Sequence, residues 1–180
     1  MNKYVIIING KGGSGKDTLI EGLRNLEEKQ GRMIKNISSI DKIKEIAACV
    51  GWDGCKDQKG RKFLSDLKSV VTGYSDFITE DLKNQAREHV SERFEKSSYM
   101  FVHIREPEEI DRLKESLAKE GIVVNTLLIT SPRCEDQVYG NKSDDDVSDY
   151  DYDCVYRNDK DLMTSRKEFW EFMYHNFPIF

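Results

Sequence analysis

The fold is decided near the amino terminus, by the stretch Tyr4-Val5-Ile6-Ile7-Ile8-Asn9-Gly10-Lys11-Gly12-Gly13-Ser14-Gly15-Lys16-Asp17-Thr18. Its first six residues are nearly all apolar, which is typical of a central parallel strand buried on both faces. A glycine-rich loop follows, and Lys16 begins a predicted helix whose inner face carries Leu19, Leu23 and Leu26. A strand, a glycine loop and a helix in this order match the pattern G-x-x-x-x-G-K of a phosphate-binding loop.

The composition of this loop explains how it would bind a nucleotide. Glycines let the backbone curl so that successive amide groups point at phosphate oxygens, and the following helix adds the positive end of its dipole. The ammonium of Lys16 would meet the β and γ phosphates. The residues expected to bind ATP are Gly10, Lys11, Gly12, Gly13, Ser14, Gly15, Lys16, Asp17 and Thr18.

Asp17 stands where a hydroxyl residue usually ligates magnesium in such loops. Its carboxylate would hold Mg²⁺ directly or through water, while Thr18 offers a hydroxyl one position later. Asp17 and Thr18 are therefore the predicted metal residues, and the sequence leaves the choice between them open.

Apolar patterns along the rest of the chain alternate between strands and helices. Further strands are predicted at 33–38, 99–104, 122–129 and 153–156, and helices at 40–50, 63–71, 78–94, 107–121 and 161–176. This alternation predicts a three-layer α/β fold of the P-loop NTPase type, with about five parallel strands and helices on both faces. Ligands bind at the carboxyl ends of strands in such sheets, which is where the glycine loop lies.

Length and charge narrow the functional classes. The chain has 180 residues, which suits a single domain over 1–180, and its net charge of -5 argues against a nucleic-acid backbone as partner. No apolar run approaches the length of a membrane span, and the four cysteines lack metal-ligand spacing. We expect a cytoplasmic protein, monomeric or homodimeric, whose partners are small-molecule nucleotides.

The string Gly13 to Thr18, with aspartate after the lysine, resembles the deoxynucleoside monophosphate kinases of the adenylate-kinase-like group. Weaker similarities follow at 39–47, 51–67, 104–109 and 152–159, so the resemblance touches most of the chain. It implies transfer of the γ-phosphoryl group from ATP, with Mg²⁺, to a nucleoside or deoxynucleoside monophosphate. It also implies acceptor-binding helices at about 40–97 and a lid-like polar segment at about 133–151.

A monophosphate kinase needs cations from several parts of the chain, because it must align two phosphates and neutralise their charge. The predicted catalytic residues are Lys16, Arg105 and Arg133, the last as a lid arginine. The predicted acceptor-binding residues are Asp41, Arg61 and Lys62. For Asp41, the role of a helix N-cap competes with that of a ligand to the acceptor sugar or base.

Several residues carry a second interpretation. His103 stands where the resembled family often has an acid beside magnesium, and we interpret it as a packed strand residue rather than a base. Trp52, Tyr74 and Phe77 would stack a base, although aromatic residues at such spacing more often belong to the core. The aspartates between 144 and 153 lack the glycine and closing glutamate of a calcium loop, which favours a solvated segment.

Three other functions remain open on sequence alone. The string Lys11 to Thr18 is close to the K-G-G-x-G-K-T-T loop of partition-type ATPase switches. Phosphomevalonate kinases of the animal type also carry Ser-Gly-Lys-Asp in this loop, and other small-molecule kinases share the scaffold. His103 and Asp17 leave room for a non-catalytic nucleotide-binding module.

Overall fold

The computed structural model describes residues 3–55, 57–91, 99–138 and 147–178. Its strands are β1 (Tyr4–Asn9), β2 (Ile34–Ser38), β3 (Tyr99–His103), β4 (Val124–Thr130) and β5 (Cys154–Arg157). Its helices are α1 (Lys16–Glu28), α2 (Asp41–Cys49), α3 (Gln58–Tyr74), α4 (Phe77–Ser91), α5 (Pro107–Ala118) and α6 (Leu162–Asn176).

The five strands form one parallel sheet in the order β2-β3-β1-β4-β5. β1 lies at the centre, where Ile8 pairs with His103 of β3 and Asn9 pairs with Leu128 of β4. Because β1 has a strand on each side and helices on both faces, Val5 to Ile8 are at most 1% exposed. The predicted three-layer α/β fold with five parallel strands is confirmed.

Each face of the sheet has its own apolar core. One core joins α1 and α6 to the face that carries Ile6, Ile8 and Phe101, and the other joins the helices α2 to α5 to the face that carries Val5 and Ile7. Since successive side chains of a strand point to opposite faces, His103 shares the α1 face with Phe101, whereas Asn9 shares the opposite face with Ile7. The two strand ends nearest the glycine loop thus present polar groups on different faces.

Helix ends follow local capping chemistry. α3 begins at Gln58, five residues earlier than predicted, because the Asp57 side chain accepts a hydrogen bond from the Gly60 amide at 2.7 Å and caps the helix. Gly73, the predicted stop, lies inside the last turn. α5 begins with Pro107, as predicted, and Asp161 caps α6 by accepting from the amides of the following turn.

Some predicted details are wrong. Leu26, predicted on the inner face of α1, is 38% exposed, and other apolar residues of the predicted helices, such as Val70 (69%) and Leu162 (50%), are exposed as well. Glu27 occupies the buried position in α1 and is 2% exposed. Its carboxylate can be buried there because it pairs with Arg32 at 2.8 Å and accepts a hydrogen bond from Trp170 Nε1 at 2.7 Å. β4 and β5 begin one or two residues later than predicted. Phe94 and the aspartates Asp144, Asp145 and Asp146 lie outside the described residues.

Candidate functional site

The glycine loop of residues 10–15 connects the carboxyl end of β1 to α1. Gly10 has a φ of 145°, and a β-carbon there would lie inside 3.0 Å of the Ile129 carbonyl oxygen in β4. Gly13 also has a positive φ, of 79°, but a β-carbon there would meet only the Cys134 β-carbon, at 3.9 Å. The loop is therefore packed tightly against β4 at its start and is open at Gly13.

The Lys16 side chain turns back over the loop. Its ammonium donates hydrogen bonds to the Lys11 carbonyl at 3.1 Å, to Ser14 Oγ at 3.4 Å and to the Gly10 carbonyl. These acceptors surround the ammonium at the start of α1, where the helix dipole is positive. Charge-assisted bonds to phosphate are stronger than bonds to carbonyls, so a phosphate chain would compete for this ammonium.

Asn158, just after β5, supports the loop from one side. Its Nδ2 donates to the Ser14 carbonyl at 2.8 Å, and the residue is 4% exposed. Its own backbone is fixed because its N–H donates to the Thr130 carbonyl and its carbonyl accepts from Ser131 Oγ, both at 2.8 Å. The ends of β4 and β5 thus form one wall of the loop.

His103 ends β3 beside Asp17. Its Nε2 lies 2.8 Å from Asn36 Oδ1 and 3.6 Å from Asp17 Oδ1. Burial lowers the pKa of His103 to about 4, so the imidazole is neutral at pH 7. The charged groups that act on this pKa are Asp17 and Asp41, which raise it, and Lys16 and Arg105, which lower it. The neutral, hydrogen-bonded ring agrees with the interpretation of His103 as a packed strand residue.

Arg105 lies two residues past the end of β3 and is exposed. Asn9 Nδ2 donates to the Arg105 carbonyl at 3.2 Å, while Asn9 Oδ1 accepts from the Gly10 amide at 2.8 Å. A single buried side chain therefore joins the backbone of Arg105 to the first residue of the loop. This brings Arg105 and the loop together at one edge of the sheet.

Helix α3 presents the two predicted acceptor cations in different directions. Its Lys68 reaches the start of α5, where the ammonium lies 2.6 Å from Glu106 and 2.9 Å from Glu109. Arg61 precedes Lys68 by about two helical turns, so both side chains leave the same side of the helix. Lys62 instead pairs with Asp66 along its own helix and its side chain is 75% exposed. Arg61 and Lys62 are both exposed, and neighbouring positions such as these lie about 100° apart around a helix.

The ion pairs of Lys68 are held close to the sheet edge. The Lys68 side chain is only 12% exposed. Burial raises the pKa of Glu106, but the charge and hydrogen bond of Lys68 outweigh this effect, so its pKa lies below the usual value. The pKa of Glu109 is raised, chiefly by burial. One lysine thus joins α3 to the residue that follows Arg105.

The N-cap interpretation of Asp41 is wrong. α2 begins at Asp41 itself, and Ile40 occupies the cap position without a side-chain bond. Asp41 Oδ2 accepts from the Ser38 amide at 2.8 Å, and Oδ1 pairs with Lys44 at 2.8 Å. The carboxylate therefore closes the turn between β2 and α2 instead of capping the helix.

Arg133 lies in the segment that follows β4. Its Nη2 donates to the Lys160 carbonyl, in the turn after β5. Farther along this segment, the carbonyls of Glu135 and Gln137 accept from the Lys11 ammonium, at 2.8 Å and 3.2 Å. Residues 133–138 thus lie against the glycine loop, and Arg133 itself is held by the turn after β5.

The three aromatic residues considered for base stacking have different environments. Trp52 packs against the core on the α2–α5 face, and its Nε1 donates to the Cys55 carbonyl at 3.1 Å. Tyr74 is 91% exposed and Phe77 is 45% exposed. The core interpretation therefore holds for Trp52 and is wrong for Tyr74 and Phe77.

Four residues at this edge escaped the sequence interpretation of the site: Asn9, Lys68, Asn158 and Tyr152, whose hydroxyl accepts from Asn9 Nδ2 at 2.8 Å. Asn9 could have been found, because it is the one amide in a run of apolar residues and directly precedes the loop. Nothing local distinguishes Lys68 from the other lysines of its helix. Within the described ranges, no group of three His, Cys, Asp or Glu side chains could hold a metal ion by itself, and no helix is long and apolar enough to cross a membrane.

Solved structures similar to this chain include an APS kinase, a shikimate kinase, a sugar kinase and designed proteins of the P-loop NTPase fold. Shikimate kinase from Aquifex aeolicus is 14% identical, with a TM-score of 0.53 over 96% of this chain and 97% of that one. The protein APE1195 is 12% identical, with a TM-score of 0.55 over 96% of both chains. Mycobacterium tuberculosis APS kinase, solved with AMPPNP and APS, is 13% identical, with a TM-score of 0.47 over 95% of both chains.

No model of a known family matches the sequence, and no curated protein matches it either. At these identities the structural likeness establishes the P-loop NTPase fold for this chain. The glycine loop lies in it between the central strand and α1.

Proposed function

We propose that this protein transfers the γ-phosphoryl group of ATP, with magnesium, to a nucleoside or deoxynucleoside monophosphate. The observation that carries the proposal is the Lys16 ammonium held over a glycine loop, at the sheet edge to which Asn9 ties Arg105. Phosphoryl transfer depends on positioning and on neutralising charge, which such an arrangement would provide. The choice of a nucleotide acceptor rests on the resemblance of Gly13 to Thr18 and of residues 104–109 to monophosphate kinases.

On the donor side, the loop amides and Lys16 would bind the β and γ phosphates. The Asp17 side chain is 85% exposed at the start of α1, and Thr18 is exposed beside it. Magnesium takes one or two protein oxygens together with phosphate oxygens and water, so these two residues fit the ion. When bound, the ion would neutralise phosphate charge. Asp17 lies in the first turn of α1, directly after the loop, so its carboxylate could hold the ion beside the phosphates.

On the acceptor side, Arg105 would stabilise the charge that develops on the transferring group. Arg61 is the better candidate for the acceptor phosphate, because it stands about two helical turns before Lys68, which reaches Glu106, while Lys62 pairs with Asp66. Asp41 would orient the acceptor only by giving up its bonds to Ser38 and Lys44. Arg133 would close over the donor by leaving the Lys160 carbonyl.

The decisive experiment measures ATP consumption against all common ribo- and deoxyribonucleoside monophosphates, with phosphomevalonate as a further acceptor. Lys16→Ala should lower turnover by at least about 100-fold, the scale of losing one group that stabilises transition-state charge. Lys29→Ala is the matched control, because Lys29 is an exposed lysine at the far end of α1. Wild-type turnover in Lys16→Ala would refute the assignment of the site.

The same panel separates the alternative functions. Transfer to phosphomevalonate alone would identify a different small-molecule kinase on this scaffold. ATP-dependent dimers without transfer would favour a partition-type switch, and ATP binding without turnover would favour a non-catalytic module. Arg105→Ala should lower kcat more than it weakens ATP binding, since the arginine would act on the transition state. An unchanged kcat would assign Arg105 to structure.

A further inference from the structure

Asn9 is an amide buried in the middle of the sheet. It is 1% exposed at the end of β1, between β3 and β4. An amide buried without hydrogen-bond partners would cost several kcal/mol, so the folded protein must supply partners for the Asn9 side chain. Its Oδ1 accepts from the Gly10 amide at 2.8 Å, and its Nδ2 donates to the Arg105 carbonyl at 3.2 Å and to Tyr152 Oη at 2.8 Å.

These partners permit only one orientation of the amide. The Gly10 N–H can only donate, so it requires Oδ1, and the Arg105 carbonyl can only accept, so it requires Nδ2. Tyr152 Oη therefore accepts from Asn9 and directs its own proton elsewhere. That proton goes to the Val147 carbonyl, at 2.9 Å. A directed chain of hydrogen bonds thus runs from residue 147 through the amide to the loop and to Arg105.

Tyr152 is well placed to fix this chain. It packs against the core on the α2–α5 face, with its ring 5.1 Å from that of Tyr150 in an edge-to-face arrangement. Burial raises the pKa of Tyr152 to about 12, so the phenol keeps its proton at neutral pH. Val147, which accepts that proton, is 4% exposed. The two residues that bond to the Tyr152 hydroxyl, Asn9 and Val147, are therefore both buried.

We propose that Asn9 is a positioning residue that sets Arg105 and the first residue of the phosphate loop relative to each other, and that Tyr152 holds Asn9 in that orientation. Asn9 would act through the backbone of its neighbours, the Gly10 amide and the Arg105 carbonyl, and not on a reacting atom. The consequence for turnover rests on the proposed kinase function. The consequence for the Gly10 amide does not, because it follows from the hydrogen bonds alone.

Loss of the Tyr152 hydroxyl would leave one Asn9 N–H without a buried acceptor. The amide would then be free to rotate away from Gly10 and Arg105. Tyr150→Phe is a matched control, since it removes a hydroxyl from the other ring of the same pair. That hydroxyl donates to Asp111 Oδ1 at 2.6 Å on the exposed side and does not touch Asn9.

The first test is residue-resolved amide hydrogen exchange by NMR, without nucleotide. In Tyr152→Phe the Gly10 amide should exchange about tenfold faster than in the wild type, the scale of one net hydrogen bond. In Tyr150→Phe it should stay within about twofold. The Ile6 amide, in the same strand, reports whether β1 remains folded. Equal Gly10 exchange in the two variants would overturn the proposal.

The second test is turnover. Tyr152→Phe should have a kcat at least about fivefold below that of Tyr150→Phe, with the ATP dissociation constants of the two within about twofold. If Gly10 exchange responds but the two kcat values agree, Asn9 is structural and the positioning of Arg105 is refuted. If the wild type transfers phosphate to no acceptor, the kinase function fails, and the Gly10 exchange still decides the hydrogen-bond chain.

Discussion

Replacing Gly10 with alanine probes how closely the phosphate loop is packed against β4. The added β-carbon would approach the Ile129 carbonyl oxygen inside 3.0 Å and would lie 3.0 Å from Ser14 Oγ. The first neighbour is backbone of a central strand, which cannot rotate away. The φ of 145° is also a conformation that side chains other than hydrogen rarely adopt. Gly13→Ala has the backbone strain without the clash, since its nearest neighbour is 3.9 Å away.

The two effects have separate magnitudes. Adopting the unfavourable φ costs about 1–3 kcal/mol, and forcing an atom into a packed region costs about 1–3 kcal/mol more. Gly10→Ala should therefore lower the free energy of unfolding by about 4 kcal/mol, or the melting temperature by about 8–16 °C for a chain of this size. Gly13→Ala should lower the free energy of unfolding by about 1–2 kcal/mol.

Urea and thermal unfolding of both variants measure the difference, and ATP titration calorimetry reports on the loop. Gly10→Ala should also bind ATP less tightly than Gly13→Ala if relief of the clash shifts the loop amides. Equal losses of stability in the two variants would show that the start of the loop is not packed against Ile129 as described.

Three further changes test other parts of the site. Lys68→Met should lower the free energy of unfolding by about 2 kcal/mol in urea titrations, because it leaves two partly buried carboxylates without their cation. The control Lys62→Met should stay within about 0.5 kcal/mol of the wild type. The pKa of His103 is about 4 in the folded state, against 6.5 for the free side chain, so the unfolded state binds more protons between these two values. Stability without metal should therefore fall as the pH drops from 7 to 4, by up to about 3 kcal/mol. His103→Gln should flatten that decline, and an unchanged pH dependence would contradict the burial of the ring. Asp17→Asn should weaken Mn²⁺ binding to the ATP complex by about tenfold in electron paramagnetic resonance titrations, while equal Mn²⁺ affinity would assign the metal to other ligands.

The sequence alone determined the elements and their type. The apolar run of β1, the glycines after it and the periodic apolar residues of α5 are signals within a few neighbouring residues, so they can be recognised locally. Alternation of strands and helices then restricts the topology to a parallel sheet. The position of the loop at the carboxyl edge follows from the same local order.

The tertiary structure alone decided which polar groups meet. Which side of α3 reaches the start of α5 depends on the rotation of the helix, which is set by the core that Leu64 enters. Tyr74 is an aromatic residue of the kind that more often belongs to a core, yet it is 91% exposed at the end of α3.

The same holds for the two partners of Asn9 Nδ2, which lie 96 and 143 residues away along the chain. A local pattern can mark such a residue as unusual, but it cannot name its partners. They are chosen by strand order and by the packing of distant segments, and these exist only once the sheet has formed.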